Sequence, residues 1–201
     1  MSINDLVVPA PRGGVLVTNR LLGTLGMLAS PMMLAEMLLF DFKQHGSNRV
    51  IGVLGVIYIF GWVCSAVGMR RSRVTGDGPL SKGAFVIQLA GLLLAFSWSL
   101  QEIIYSGIDK GGVFYRVTDA AWPLSHLLML VIGILTLRAG VWEGRRRFAP
   151  LLVGLALPVA IAAALLAGEA GMGIAFAVMT TAGFFALGYS VRTGSSVPGR
   201  A

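Results

Sequence analysis

Charged residues are scarce in this sequence. Of 201 residues only 12% are Asp, Glu, Lys or Arg, about half the share of a soluble domain. A single cysteine, Cys64, excludes a disulfide framework and any multi-cysteine metal site. The two histidines, His45 and His126, form no HxxxH or HExxH spacing. There is no phosphate-binding glycine loop of the GxxxxGK[ST] type, no GxSxG nucleophile elbow, no CxxC and no lysine inside an apolar run. No reaction or ligand is therefore announced by a motif. A disordered chain is excluded as well, because 56% of the residues are hydrophobic.

What is present is a series of long stretches without charge. Uncharged runs cover residues 50–69, 83–101, 120–137, 148–168 and 170–191, and 21–40 joins them with Glu36 as its one charge. A helix needs roughly 20 mainly apolar residues to cross about 30 Å of hydrocarbon. Buried strands are shorter, and barrel strands alternate polar with apolar residues, which these runs do not. The pattern predicts an all-α polytopic membrane protein, a six-transmembrane-helix bundle with spans near 21–40, 50–69, 83–102, 120–138, 149–168 and 171–191. Residues 1–20 and 192–201 read as short polar tails. The first span follows its tail without a small-residue cleavage pattern, so it is expected to stay in the mature chain rather than act as a signal peptide.

The net charge of +7 acquires its meaning from position. Twelve of the 16 basic residues fall on one side of the predicted membrane: Arg12, Arg20, Arg70, Arg71, Arg73, Lys82, Arg138, Arg145, Arg146, Arg147, Arg192 and Arg200. Lys43, Arg49, Lys110 and Arg116 fall on the other. Basic loops remain in the cytoplasm, which places both termini there and the protein in a plasma or inner membrane. The expected partners are the lipid bilayer and the anionic headgroups at the arginine-rich loops, with Trp142–Arg147 and Phe148 as a surface clamp, and not nucleic acid.

Polar groups inside a bilayer are costly, so each marks a candidate site. In the fourth span Asp119, Trp122, His126, Met129, Gly133 and Thr136 recur at steps of three and four and share one helix face. In the third, Gln88, Ala95, Ser99 and Glu102 do the same. At about 1.5 Å per residue, His126 lies roughly 10 Å inside Asp119, Ser99 roughly 9 Å deep and Glu36 roughly 6 Å deep. Glu36, Ser99, Glu102, Asp119, Trp122 and His126 are thus expected to form a polar pocket in the outer half of the membrane. Trp98 and Tyr105 lie nearby, with Asp41 and His45 in the adjoining loop.

A carboxylate beside an imidazole can hold or relay a proton. His126 with Glu36 and Glu102 has the residue types of a divalent-metal site without its spacing. The plainer account is that these groups hydrogen-bond between helices while Trp98 and Trp122 anchor the interface. The expected role is non-enzymatic: binding or passing a small solute, lipid or proton, or serving as a membrane subunit, with no cofactor. The competing expectation is an intramembrane acid–base or metal-assisted enzyme built on Glu36, Glu102, Asp119 and His126.

Three further features are architectural. Pro31 and Pro158 are expected to kink their helices, and Pro123 to sit in a first helical turn. Small residues four apart, as at Gly61 and Ser65 or Gly173 and Ala177, predict close helix crossings. Glu36, Glu102 and Glu169 recur at intervals of 66 and 67 residues, which suggests either three repeated hairpins or acids gathered at the less basic end.

Overall fold

The computed structural model describes residues 18–40, 49–105 and 112–194. Asp41 and His45 lie outside them. The described residues form helices and no strand: α1 (Asn19–Ala29), α2 (Met32–Leu39), α3 (Arg49–Arg71), α4 (Pro79–Ile104), α5 (Val113–Ala139), a 3₁₀ turn at Gly144–Phe148 and α6 (Ala149–Thr193). Taking α1 with α2 as one unit, and the 3₁₀ turn with α6 as another, five are long and apolar enough to cross a membrane.

Two backbone breaks shape this set. Pro31 has no N–H to continue a helix and separates α1 from α2. The freed carbonyl of Met27 is taken up by the Ser30 amide (3.3 Å) and hydroxyl (2.8 Å). The second break is at Gly168, where φ 68° and ψ −163° lie in a region open almost only to glycine. There α6 doubles back. A Cβ on Gly183 would lie 3.2 Å from the main chain of Val153, and Ala156 and Ala160 share a buried cluster with Phe176. Residues 30 apart on a straight helix would be about 45 Å apart. The expected boundary between 149–168 and 171–191 falls at this turn.

The helices close into a ring through small residues. Gly61 of α3 faces Ala29 and Leu25 of α1, and Gly52 of α3 faces Ser99 and Ile103 of α4. Gly91 of α4 faces Ser125 of α5, and Gly133 of α5 faces Leu151 of α6. The second arm of α6 then returns to α1, where Gly188 meets Gly23 and Met27. Only residues without bulk let backbones approach this closely, so the Gly61–Ser65 pair does mark a helix crossing, with Ser65 against Gly26 of α1. Tyr58, Trp62, Leu92, Met129 and Phe184 fill the core.

One end of the ring carries Arg20, Arg70, Arg71, Arg73, Lys82, Arg138, Arg145, Arg146, Arg147 and Arg192. It is knitted by Asn19 donating to the Ser72 hydroxyl (2.9 Å) and Arg146 donating to the Thr193 carbonyl (3.1 Å). Asp77 pairs with Arg73 (3.1 Å) and Arg70 (3.6 Å). Arg49 and Arg116 are at the opposite end, together with Glu36, Glu102 and the Gly168–Glu169 turn.

Three expectations change. α5 starts at Val113, so Pro123 lies inside the helix and not in its first turn. Its polar outer turns, with Arg116, Thr118 and Asp119, extend the helix beyond the uncharged window. Pro158 keeps helical geometry, and Gly168 is the residue that turns α6. Trp142 is buried under the C-terminal end of α6 beside Gly194, so of the expected surface clamp Glu143–Phe148 are exposed and the indole is not. The Arg147 guanidinium sits 4.9 Å above the Phe148 ring.

Candidate functional site: an outer cavity above a buried histidine

His126 is fully buried, and its two ring nitrogens are both engaged. Nδ1 is 3.2 Å from the carbonyl oxygen of Trp122, one helical turn back. A carbonyl can only accept, so Nδ1 carries the hydrogen and donates it. In the neutral ring Nε2 is then the acceptor, and the Tyr58 hydroxyl donates to it at 3.1 Å. Aromatic rings enclose the imidazole: Trp62 at 4.5 Å between centroids, Trp122 at 5.0 Å, Phe176 at 5.4 Å and Phe184 at 6.1 Å. These come from α3, α5 and the second arm of α6, where Phe176 and Phe184 are about two turns apart. Tyr58, Trp62, Phe176 and Phe184 were not singled out by sequence. Their signal is faint: Tyr58 and Trp62 are one turn apart, as are Phe176 and Thr180, but nothing in the chain says which faces meet.

Beside this box, on the side away from the arginine rim, is a cavity of about 240 Å³. α2 contributes Met33, Glu36 and Met37, and Phe40 follows it. α3 gives Ile51, Gly55 and Ile59, and α4 gives Trp98 and Ser99. Asp119 and Trp122 of α5, with Gly173, Phe176 and Ala177 of α6, complete the wall. The Pro31 break matters here, because it lets α2 leave the line of α1 and cover the cavity. Gly55 matters too: a Cβ there would lie 2.6 Å from the Ser99 hydroxyl.

The structure therefore brings together four of the six expected pocket residues: Glu36, Ser99, Asp119 and Trp122. Ser99 is buried and reaches back to the Ala95 carbonyl at 3.5 Å, a long contact. Glu36 is half-buried, and its carboxylate has no hydrogen bond or ion pair with any described residue. Asp119 is exposed, at the rim. The other two lie elsewhere. Glu102 is buried and accepts from the Tyr115 hydroxyl at 3.0 Å. His126 is separated from the cavity by Trp122 and Phe176, which line it and also flank the imidazole. Gln88, on the same stripe as Ser99, is buried without lining the cavity, and neither of its amide atoms has a partner among the described residues.

Metal chemistry finds little support in this arrangement. Among the described residues no three His, Cys, Asp or Glu side chains converge as ligands, so His126, Glu36 and Glu102 do not assemble the set that their residue types suggested. Among the described residues the cavity wall instead combines two carboxylates, two indoles, two phenyl rings and two thioethers, with no lysine or arginine. Such a surface can hold a small molecule with an apolar body and one polar end.

Long apolar helices packed through glycines around a buried core define a multi-pass helical membrane protein. Comparison with protein-family models, curated proteins and solved structures finds no match for the chain.

Proposed function

We propose that this protein is a non-enzymatic binding protein of the plasma or inner membrane that takes a small solute into the cavity beneath α2. The observation that carries the reading is the cavity itself, set among five helices and lined by a carboxylate without a partner among the described residues. An engineered cavity of 150 Å³ accepts benzene, so 240 Å³ is ample for a compact ligand.

In this reading the chain crosses the bilayer six times. The two arms of α6 on either side of Gly168, 149–167 and 169–193, are about 28 and 38 Å long, and each matches the hydrocarbon thickness. The arginine-rich end faces the cytoplasm with both termini, and its exposed Arg145, Arg146 and Arg147 rest on anionic headgroups. The cavity then opens in the outer half of the membrane. Passage of the solute or a proton, or service as a membrane subunit, would use the same architecture. The enzymatic alternative has less behind it, because acid–base work by His126 requires a free nitrogen at an accessible surface, and both are occupied by Trp122 and Tyr58.

Purified protein in maltoside should bind neopentylbenzene or its isosteric cation benzyltrimethylammonium saturably, read by calorimetry or by the emission of Trp98 and Trp122. Ala177→Phe, which fills the wall, and the gentler Met37→Trp should each weaken this by about tenfold or more. Absence of saturable binding by either probe would sink the reading.

A further inference from the structure

The lining of the cavity is selective in charge, and that selectivity deepens the binding reading on which it rests. We propose that the occupant is a small organic cation, an ammonium group on an apolar body.

Three observations point the same way. First, among the described residues the only formal charges on the wall are negative, Glu36 and Asp119, and no described cationic side chain lines it. A carboxylate held partly out of water lowers the energy of a cation placed beside it far more than it would in bulk solvent. Glu36 has no countercharge among the described residues, so a ligand cation meets a site that no arginine or lysine of the described helices already occupies. Second, Trp98, Trp122, Phe40 and Phe176 come from three helices and the end of a fourth to form an aromatic surround. Indole and phenyl rings attract cations through the negative potential of their faces, and quaternary ammonium recognition is the best-known use of such walls. Third, Met33 and Met37 complete the wall. Thioether side chains are polarisable and adapt their rotamers, which suits the apolar part of a ligand.

Size sets the upper bound. Benzene fills a cavity of 150 Å³, so 240 Å³ corresponds to about ten non-hydrogen atoms. A benzyl or short-alkyl group carrying a methylated or primary amine fits, and a nucleotide or disaccharide does not. A neutral molecule of the same shape would leave the Glu36 carboxylate partly desolvated without a partner. An anion would meet repulsion from both carboxylates.

The same chemistry can come from two sources, a free organic amine or the ammonium headgroup of a membrane lipid. The experiment separates them. In maltoside, benzyltrimethylammonium is expected to bind at least tenfold more tightly than neopentylbenzene, which has the same shape and no charge. Glu36→Gln is expected to abolish most of that preference by weakening benzyltrimethylammonium while neopentylbenzene still binds at least as tightly, and an unchanged helical circular-dichroism spectrum shows that the variant is folded. Asp119→Asn, at the exposed rim, is expected to reduce the preference by a smaller factor. Repeating the titration in nanodiscs of phosphatidylglycerol, with and without phosphatidylethanolamine, reports the source. Competition by phosphatidylethanolamine assigns the headgroup as occupant, and its absence assigns the free amine; either supports cation recognition. Equal affinity for the two probes, or a preference untouched in both carboxylate variants, overturns the cation proposal while the binding reading stands. If neither probe binds, both fall together.

Discussion

His126 is held between the Trp122 carbonyl and the Tyr58 hydroxyl, with four aromatic rings around it. In such a setting a lost partner costs more than the bond itself contributes, because the remaining polar atom stays buried. Tyr58→Phe should therefore destabilise the protein by about 1–3 kcal/mol, measured by unfolding in mixed detergent. His126→Leu should also destabilise, by breaking the aromatic packing and stranding the Tyr58 hydroxyl. The double variant should lose less than the two single losses added, with a coupling of at least about 0.5 kcal/mol. Strict additivity would mean that the pair is not coupled. At this scale the sequence identified His126 as a residue to explain, since an intramembrane imidazole is conspicuous. Tyr58 was hidden, because one tyrosine in an apolar helix carries no directional signal.

At the scale of helices, glycine decides where backbones touch. A Cβ on Gly23 would overlap the main chain of Gly188 and Arg192, and backbone cannot move aside as a side-chain tip can. Gly83 on α4 has open space around its missing Cβ. Gly23→Ala is expected to destabilise by about 1–3 kcal/mol through overpacking. Gly83→Ala is expected to be neutral or to stabilise by up to about 1 kcal/mol, because alanine favours the helix. Thermal unfolding of both variants checks the contrast, and equal shifts would refute it. The apolar runs located the helices but understated α4 and α5, which continue into polar turns. Charge-free windows report the part of a helix matched to hydrocarbon, whereas hydrogen bonding carries the helix further. Pro31 was readable as a break, while Pro158 and Gly168 exchanged roles because a proline can be tolerated in a helix and a glycine at φ 68° ends one.

For the whole molecule, the decisive quantity is the separation of charge between its two ends. If the two arms of α6 are separate spans and the arginine rim is cytoplasmic, Glu169 emerges on the outside. In a Cys64→Ala background, Glu169→Cys should react with a membrane-impermeant maleimide added to intact cells. An Arg146→Cys variant in the same background should react only after permeabilisation. The reverse pattern would invert the topology, and protection of both would break the six-span reading. The three acids at 66- and 67-residue intervals, Glu36, Glu102 and Glu169, do share this end. Their surroundings differ: Glu36 lines the cavity, Glu102 accepts from Tyr115, and Glu169 is exposed at the turn.

The order of the apolar runs, the charge asymmetry between loops and the break at Pro31 were all determined by sequence, because each follows from local hydropathy, charge or backbone chemistry along the chain. Which polar groups share a cavity was decided by tertiary structure alone. Ser99 and Glu102 are neighbours on one helix face, yet the first lines the cavity and the second turns to Tyr115. His126 and Asp119 share a stripe, yet Trp122 and Phe176 stand between the imidazole and the cavity that Asp119 rims. Those outcomes depend on how closely Gly52, Gly55 and Gly91 let α3, α4 and α5 approach, and on where α6 folds back. Helical periodicity places a residue on a face. Only packing assigns that face its neighbours.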